Sequence, residues 1–334
     1  MLTDKENLGV IVTGATGWIG RNICQYLQQL NCRVIACDLR EQAGPWDDFI
    51  TLDISQDSGL PDCDTSNRHF PQGVSYALIH CAGYAHRAVE TDEEIKRFWA
   101  INAEGTRRVL EWASAIKVQK FVYLSSIAFY DWSVPEVNQP LVEGSLLSGK
   151  TDYAKSKLAG ENYVKESSLD TRIVRLATVF GDGDIANFSK LAKALKNKRF
   201  ILPGQGAAKK SVISVAMASR CIAEFALIKD PKHKLVNLGL SKAPTLKEIC
   251  EAYHCSCGFP RPILFPFAFL RFFALFGDLA AKLKPNFPLT SLNVQKLKSS
   301  TWVDCSKAGE LFPELADTTF ADALEQSKGF YRDV

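Results

Sequence analysis

Tyr153 and Lys157, four residues apart in the sequence TDYAKSK, are the residues whose types and spacing most directly suggest chemistry. A tyrosine hydroxyl titrates near ~10 in water and is a poor base at neutral pH. A lysine four residues further along a helix projects from the same face, so its ammonium group is expected to lower the pKa of the tyrosine. Ser126, at the end of the apolar run FVYLSS, is expected to hold a substrate oxygen. Together the three side chains predict proton exchange with a hydroxyl or carbonyl group.

The same spacing also occurs on solvated helix faces, so the assignment depends on the elements around it. Residues 8–13 are predicted to form a buried strand, and a helix follows with apolar positions from Ile23 to Leu30. Between them lie three glycines at three-residue spacing. A strand, a glycine turn and a helix form a dinucleotide cradle, because the backbone can approach a pyrophosphate and the helix N-terminus offers N–H groups. The predicted cofactor contacts in this loop are Gly14, Thr16, Gly17, Trp18, Ile19 and Gly20.

The second predicted strand, residues 32–37, ends on Asp38, at about the distance expected for a ribose-binding acid. A carboxylate there accepts a hydrogen bond from the adenosine 2′-hydroxyl and repels a 2′-phosphate, which predicts NAD as the cofactor. Arg40 could bind such a phosphate, so NADP stays open as the alternative. Leu39 lies between these two residues and completes the predicted ribose-binding group.

Strands and helices continue to alternate towards the serine pair. Residues 49–55 and 75–81 are predicted strands, and residues 92–115 are a predicted helix that is broken or bent near Asn102. This order predicts an α/β fold with a parallel, doubly wound sheet of the Rossmann type. Ligands of such sheets bind at the carboxyl ends of the strands. The residues predicted to lie at such ends are Gly14, Asp38, Asp53, Gly83 and Ser126.

Length and composition agree with an enzyme of this class. The 334 residues are 46% apolar and 23% charged, enough for one large domain and a smaller one. We predict that residues 1–180 form the dinucleotide-binding domain with the catalytic residues, and that residues 181–334 form mainly a smaller α/β substrate domain. The formal charge is +3, from 40 basic and 37 acidic residues. Because no basic block is interleaved with aromatic residues, nucleic acid is not predicted as a partner.

The cysteines and the N-terminus bear on metal binding and location. Ten cysteines are scattered along the chain, and Cys250, Cys255 and Cys257 lie near His254. A CxC pair lacks the usual CxxC reach and no second ligand pair follows, so we predict reduced thiols and no metal site.

The sequence MLTDKENLGV has neither a cationic segment nor a long apolar run, which predicts a cytoplasmic protein without a secretion signal.

Eight motifs resemble, in order and spacing, the extended short-chain dehydrogenase/reductases, specifically their nucleotide-sugar epimerase and ketoreductase branch. They are GATGWIG, the acid at Asp38, LDIS, HCAGYAH, INAEGT, YLSSIAFYD, YAKSK and VRLATVFGDGD. The resemblance implies reversible hydride transfer at a sugar carbinol, with Ser126, Tyr153 and Lys157 as the catalytic set and Lys157 also on the nicotinamide ribose. It implies a homodimer formed through a four-helix contact. The further cofactor contacts that it implies are Asp53, Ile54, Cys81, Ala82, Gly83, Tyr84, Asn102 and Ala177, with Thr178 near the nicotinamide and the substrate.

One difference from related sugar dehydratases limits which reactions the chain is expected to catalyse. Sugar 4,6-dehydratases of this family follow the catalytic hydroxyl residue with an Asp-Glu pair, because removal of water requires an acid and a base. Ile127 and Ala128 occupy those positions here, and neither can transfer a proton. We therefore expect either 4-epimerisation or 4-keto reduction, and the sequence does not separate the two.

The chain after residue 181 holds the predicted substrate contacts. Asn187 and Phe188 resemble the asparagine-containing sugar-nucleotide segment of the family, and Lys210 lies where an arginine often contacts the diphosphate. The alternative for Lys210 is a solvated lysine. The family's VxD motif is replaced by SVISVAMAS, a change expected to affect a helix cap more than the activity.

Residues 262–283, PILFPFAFLRFFALFGDLAAKL, form an unusual apolar stretch. Pro266, Arg271 and Asp278 interrupt it, and its unbroken part is too short to span a bilayer. We expect a helix that packs on the substrate domain, and an amphipathic helix on a membrane surface is the alternative.

Two other functions compete with the nucleotide-sugar enzyme. A dehydrogenase of the 3β-hydroxysteroid type, acting on a hydrophobic alcohol, shares the cofactor motifs and often has a Phe-rich C-terminal segment. A cofactor-binding regulator without catalysis would not need intact Ser126, Tyr153 and Lys157. Asn187 and Lys210 favour a diphosphate substrate, whereas the apolar stretch favours a lipid.

Overall fold

The computed structural model describes residues 8–61, 69–70, 73–84, 91–133, 139–283 and 290–334. The strands are β1 (Leu8–Thr13), β2 (Arg33–Asp38), β3 (Asp48–Thr51), β4 (Ser75–His80), β5 (Lys120–Ser126), β6 (Thr171–Leu176), β7 (Thr178–Phe180), β8 (Ile201–Pro203), β9 (Val212–Ser214), β10 (Leu235–Leu238) and β11 (Ile263–Phe265). The helices are α1 (Trp18–Gln29), α2 (Asp92–Phe98), α3 (Gly105–Ala115), α4 (Asp152–Glu166), α5 (Asn187–Lys196), α6 (Val215–Leu227), α7 (Leu246–Cys257), α8 (Phe267–Leu283), α9 (Ser291–Lys298), α10 (Ser306–Leu311), α11 (Glu314–Asp317), α12 (Phe320–Gln326) and α13 (Lys328–Asp333).

Seven strands form the central sheet, in the order β10-β6-β5-β4-β1-β2-β3. All neighbouring pairs are parallel. The chain moves outwards from β1 through β2 to β3 and then returns to β4 on the other side of β1. This change of direction opens a crevice at the carboxyl ends of β1 and β4, where open α/β sheets bind ligands. The predicted Rossmann-type, doubly wound parallel sheet is confirmed.

The sheet is buried on both faces, which explains the nearly continuous apolar runs of its strands. Val10 and Val12 of β1 pack in one core with residues of α1 and α6, whereas Ile11 faces the opposite core, lined by α3 and α4. All six residues of β1 are buried. Burial of such side chains contributes roughly 1.5–3 kcal/mol each and holds the strand ends in fixed positions.

The chain after residue 180 contributes to two parts of the molecule. β10 is an edge strand of the central sheet, and α6 lies in the same core as α1. The remaining segments build a smaller α/β part with two short parallel sheets, β7-β9 and β8-β11. Its core contains an aromatic group in which Phe180 lies between Phe188 and Phe320, at ring-centre distances of 5.2 Å and 4.7 Å.

Candidate active site

The glycine loop after β1 is packed too closely for side chains. Gly14 has a φ of +69°, and a Cβ atom on it would lie 2.7 Å from the backbone nitrogen of Ala82. A Cβ atom on Gly20 would lie 2.1 Å from the carbonyl oxygen of Gly14. The glycines therefore bring α1 directly onto the loop, and the loop directly onto the end of β4.

The N-terminus of α1 points its backbone N–H groups into this crevice. Gly17 is the N-cap and offers no side-chain hydrogen bond, and the fully described first turn contains no acidic residue. Such a helix end attracts an anion through its unpaired N–H groups and its dipole. Trp18 reaches across the crevice, where its indole Nε1 donates a hydrogen bond of 2.6 Å to the carbonyl oxygen of Asp182. Ile19 is partly buried against the core beside α1.

Asp38 lies at the end of β2, as predicted, and its carboxylate binds the glycine loop. One oxygen accepts hydrogen bonds from the backbone nitrogen and the hydroxyl of Thr16, at 2.9 Å and 2.7 Å. The other accepts a bond of 2.8 Å from the backbone nitrogen of Leu39. Asp38 therefore orients the loop in addition to its predicted contact with a ribose hydroxyl. Arg40 is exposed two residues further on.

Asp53 and Ile54 follow β3 on the same side of the crevice. The Asp53 carboxylate accepts hydrogen bonds from the nitrogen and the hydroxyl of Ser55, at 2.9 Å and 2.6 Å, so it stabilises a local turn. Ile54 is buried, and Arg108 donates a hydrogen bond of 3.2 Å to its carbonyl oxygen. Both residues are thus held in fixed positions next to the end of β2.

Asn102 is fully buried and joins the loop after β4 to the catalytic helix. Its side-chain oxygen accepts a bond of 2.8 Å from the Tyr84 nitrogen, and its side-chain nitrogen donates to the Tyr84 carbonyl and the Ser156 hydroxyl, both at 3.1 Å. Asn102 lies in a π-helical segment, Trp99–Glu104, between α2 and α3. The predicted break near Asn102 is confirmed. The residue orders the loop formed by Cys81, Ala82, Gly83 and Tyr84.

Gly160, which the sequence analysis did not single out, sets how closely α4 approaches this segment. A Cβ atom on Gly160 would lie 2.3 Å from the carbonyl oxygen of Asn102 and 2.5 Å from the hydroxyl of Tyr123. Only glycine fits between these backbone and side-chain atoms. The YxxxK spacing gave no signal for this position, because the contact joins residues that are far apart in sequence.

The three candidate catalytic residues meet at the end of β5. α4 begins at Asp152, with the hydroxyl of Thr151 capping it through a 3.1 Å bond from the Ala154 nitrogen. This cap places Tyr153 in the first turn, where its side chain interacts with that of Ser126. Burial raises the pKa of Tyr153 above its ordinary value of 10.0, and the interaction with Ser126 opposes this increase.

Lys157 lies one turn further along α4 and is only 6% exposed. Its Nζ lies 4.5 Å from the centre of the Tyr123 ring and 3.7 Å from the point where a Cβ of Gly83 would be. Burial lowers the pKa of Lys157 to about 8, although Cys81 and Glu161 oppose this effect. The expected lowering of the Tyr153 pKa is therefore wrong for this structure: both groups are withdrawn from water, and desolvation favours the neutral form of each.

His80, at the end of β4, is a second buried group that sequence reasoning did not single out. Its Nδ1 is 2.7 Å from the Thr13 hydroxyl and its Nε2 is 3.1 Å from the Thr106 hydroxyl. Burial and the nearby Lys157 ammonium lower the pKa of His80 to about 3. The neutral ring therefore ties β4 to β1 and to α3 and takes up no proton near neutral pH.

A buried polar network lies behind the catalytic helix. The guanidinium of Arg175 on β6 binds both carboxylate oxygens of Glu161, at 3.1 Å and 2.6 Å, and donates to the Tyr130 hydroxyl at 2.7 Å. Ser125 donates to Glu161 at 2.6 Å, and Tyr130 donates to Asn237 of β10 at 2.8 Å. Burial alone would raise the pKa of Glu161, but Arg175 holds it below its ordinary value. The network fixes α4 relative to β5, β6 and β10.

The predicted substrate residues Asn187 and Phe188 lie in different environments. Asn187 is exposed at the first residue of α5. Phe188 is buried and packs against Phe180 and Phe320, so its ring belongs to the core of the smaller part and does not line an open surface. The contact of Phe188 with a substrate therefore stays a prediction, and its ring has a packing role in this structure.

Lys210 is also used differently from the expectation. Its Nζ donates hydrogen bonds to the carbonyl oxygens of Lys296 and Ser299, at 2.9 Å and 2.6 Å. The ammonium therefore caps the C-terminal end of α9, where unpaired carbonyl groups attract a cation. Burial lowers the pKa of Lys210 to about 8.

The departure from the VxD motif leaves a normal helix cap. The hydroxyl of Ser214 accepts a 3.3 Å bond from the Met217 nitrogen at the start of α6. Ala177 is buried between β6 and β7, and Thr178 opens β7 beside Val212 of β9. Both residues thus follow the carboxyl end of β6, beside the crevice. Within the described ranges, no group of three or more His, Cys, Asp or Glu residues could hold a metal ion.

A family model described as the NAD dependent epimerase/dehydratase family matches residues 10–239, from β1 to the residue after β10. The chain belongs to this family. The predicted resemblance to the extended short-chain dehydrogenase/reductases is thereby confirmed. The match covers the whole central sheet and the residues around the crevice.

The individual relatives of the chain share only low sequence identity with it. UDP-glucose 4-epimerase of Vibrio cholerae is 25% identical over 204 residues, 60% of this chain and 60% of that protein. Ceramide reductase of Caulobacter vibrioides is 28% identical over 185 residues, 55% of this chain and 50% of that protein. The chain thus spans between half and 60% of the length of these relatives. UDP-glucuronic acid 4-epimerase of Bacillus cereus, solved in complex with NAD, has a similar fold, with a TM-score of 0.71 at 18% identity over 97% of this chain and 99% of that chain.

Proposed function

We propose that this protein is an NAD-dependent 4-epimerase for nucleotide sugars, with Ser126, Tyr153 and Lys157 as its catalytic residues. The observation that carries the proposal is the interaction between the side chains of Tyr153 and Ser126 at the carboxyl end of β5. Lys157 lies beside the neighbouring loop, close to Gly83. A hydroxyl pair with a buried amine, at the ligand-binding edge of a Rossmann-type sheet, is suited to proton exchange at a carbinol.

The crevice fits a dinucleotide. The uncapped N-terminus of α1 offers its N–H groups to a pyrophosphate, and the glycines allow close approach. Asp38 retains capacity for one further hydrogen bond, since three of the roughly four lone-pair positions of a carboxylate are occupied. Its charge repels a 2′-phosphate, which favours NAD over NADP. When bound, NAD supplies the acceptor and donor of the hydride.

The residues of this chain would then handle the proton. In the oxidation step, Tyr153 as the phenolate would accept the proton of the 4-hydroxyl group while the C4 carbon gives up its hydride, and the Ser126 hydroxyl would bind that oxygen. In the return step, Tyr153 gives the proton back to the keto oxygen as C4 regains its hydride on the opposite face. Because burial raises the pKa of Tyr153, the ligand-free chain holds the tyrosine's own proton, which must be released before the oxidation step. Lys157 would position the nicotinamide ribose through its ammonium.

The same residues could perform a one-way 4-keto reduction. The two reactions differ in cofactor use, because an epimerase regenerates its NAD and a reductase consumes one NADH for each product. Turnover of UDP-glucose and UDP-galactose with a catalytic amount of NAD supports the epimerase. Stoichiometric consumption of NADH with a 4-keto sugar assigns the reductase instead.

The test of the proposed residues is Tyr153→Phe in this interconversion assay. Loss of the hydroxyl is expected to lower kcat by about 10³-fold while NAD binding is retained, because general acid–base catalysis contributes roughly 10²–10⁴-fold. Tyr163→Phe is the matched control. Tyr163 lies on the same helix, but its hydroxyl binds Glu104 at 2.9 Å, away from Ser126. An unchanged kcat in Tyr153→Phe would remove Tyr153 from the catalytic role.

A second candidate function is the reduction or oxidation of a hydrophobic alcohol. The relative named ceramide reductase and the exposed apolar face of α8 favour this candidate. Thermal shift with UDP-sugars separates it from the first, since a ligand that binds only the folded state raises the melting temperature. A shift with UDP-sugars supports the epimerase, and no shift with any nucleotide sugar favours the alcohol.

A further inference from the structure

The helix α8 exposes most of its large apolar residues and buries only a narrow stripe. Leu270 and Ala274 pack inwards against Val294 of α9. The outward residues are strongly exposed: Phe269 by 59%, Phe272 by 56%, Phe273 by 48%, Leu275 by 61%, Phe276 by 62% and Leu279 by 64%. We call these six residues the α8 face. The expected packing on the smaller part holds only for the inner stripe, whereas a helix that merely fills a core buries its largest side chains.

The α8 face continues onto the adjoining strand β11. The ring of Phe265 lies 6.2 Å from that of Phe269 and 6.4 Å from that of Phe273. Ile263 and Leu264, which precede it, are 59% and 57% exposed. At about 200 Å² for a large side chain, the exposed fractions of these eight residues amount to roughly 900 Å², more than the largest patch of a typical soluble monomer.

The surrounding chain is strongly basic. Residues 261–300, which contain β11, α8 and α9, include 6 Lys or Arg residues and 1 Asp residue. Arg271 is exposed on α8 itself, and the Nζ of Lys298 on α9 lies 4.2 Å from the Phe267 ring. Two copies that met through the α8 face would bring two basic surfaces together, which is unfavourable. A surface of anionic lipid headgroups complements both the charge and the apolar side chains.

We propose that α8 lies in the plane of an anionic lipid bilayer, with the α8 face inserted at the boundary between headgroups and acyl chains. Arg271 and the neighbouring lysines contact lipid phosphate groups. Insertion reaches about 5–10 Å, as in other interfacial helices. No helix in the described part of the chain is long and apolar enough to cross a membrane.

Vesicle flotation tests this surface directly. The full chain is expected to float with vesicles of phosphatidylcholine and phosphatidylglycerol, and less with phosphatidylcholine alone or at high salt. Phe272 and Phe276 are suitable targets because both are exposed and their rings lie 5.3 Å apart. The double variant Phe272→Ser/Phe276→Ser is expected to lower the partition coefficient on the order of 100-fold. Leu146→Ser is the control, since Leu146 is 67% exposed outside α8 and should leave flotation unchanged.

Three outcomes would overturn the proposal. The wild-type chain does not float with either vesicle, or the double variant floats as well as the wild type. In the third, the wild type is a dimer by ultracentrifugation, the double variant is a monomer, and neither floats, which assigns the α8 face to a second copy. Turnover of UDP-sugars without vesicles should be equal in wild type and double variant, so failure of this proposal is distinct from failure of the proposed reaction.

Discussion

Replacing Lys157 with methionine is expected to stabilise the folded chain at neutral pH while it abolishes activity. Lys157 is 6% exposed, and burial lowers its pKa from 10.5 to about 8. A tenfold change in proton affinity corresponds to about 1.4 kcal/mol, so the protonated lysine destabilises the folded state by about 3 kcal/mol. Methionine has a similar length and no charge, so Lys157→Met removes this cost without leaving a large cavity.

The size of the gain depends on pH. The unfolded chain binds the lysine proton as the pH falls through 10.5, whereas the folded chain binds it only near pH 8. The wild type therefore loses stability as the pH falls from 10.5 to 8, and the loss is complete below pH 8. The advantage of Lys157→Met should be about 3 kcal/mol at pH 7 and about 1 kcal/mol at pH 9.5.

Urea unfolding of wild type and Lys157→Met at the two pH values measures this difference. Lys155→Met is the control, because Lys155 is exposed on the same helix and its pair with Asp152 is a surface contact of 3.5 Å. Its free energy of unfolding should stay within about 0.5 kcal/mol of the wild type at both pH values. The reasoning would be refuted if Lys157→Met is less stable than the wild type at pH 7. It would also be refuted if the stability advantage of the variant over the wild type is the same at both pH values.

Two further substitutions test the packing of the site. In Gly20→Ala, the new methyl group would lie 2.1 Å from the carbonyl oxygen of Gly14, so the loop must shift. We expect NAD affinity to fall at least about 10-fold and the free energy of unfolding to fall by about 1–3 kcal/mol. Wild-type NAD affinity in a calorimetric titration would contradict this expectation. Arg175→Met leaves the buried carboxylate of Glu161 without its main partner, so urea unfolding should show a loss of about 3–5 kcal/mol, most of which Glu161→Met/Arg175→Met restores. Equal stability of Arg175→Met and wild type would show that the pair is not needed.

The strands and their ends could be predicted from the sequence because they depend on local patterns. An apolar run that ends at a glycine, an acid or a serine locates both a buried strand and its carboxyl end, and this succeeded for β1, β2 and β5. The interruption near Asn102 was also foreseeable, because the pattern of the long helix fails there. In a parallel sheet, these ends meet at one edge, so the location of the site followed as well.

The partners of individual polar groups could not be predicted in this way. Lys210 and the C-terminal end of α9 are almost ninety residues apart, and no periodicity links them. The burial of Phe188 and the desolvation of Tyr153 and Lys157 likewise depend on elements that pack around them from elsewhere in the chain. The sequence also could not decide whether the apolar side chains of α8 face the protein core or the outside, since the composition of this helix suits either a core or a lipid surface.

The close approach at Gly160 has a consequence for protein engineering. The helix α4 is aligned with the segment around Asn102 through one missing methyl group, since a Cβ there would meet both the Asn102 carbonyl and the Tyr123 hydroxyl. Libraries that test the proposed substrate contacts can vary the exposed start of α5, but any member with a side chain at Gly160 would displace α4 and, with it, the proposed catalytic residue Tyr153. Screening capacity is best concentrated on the smaller part of the molecule, with the seam between α4 and Asn102 left intact.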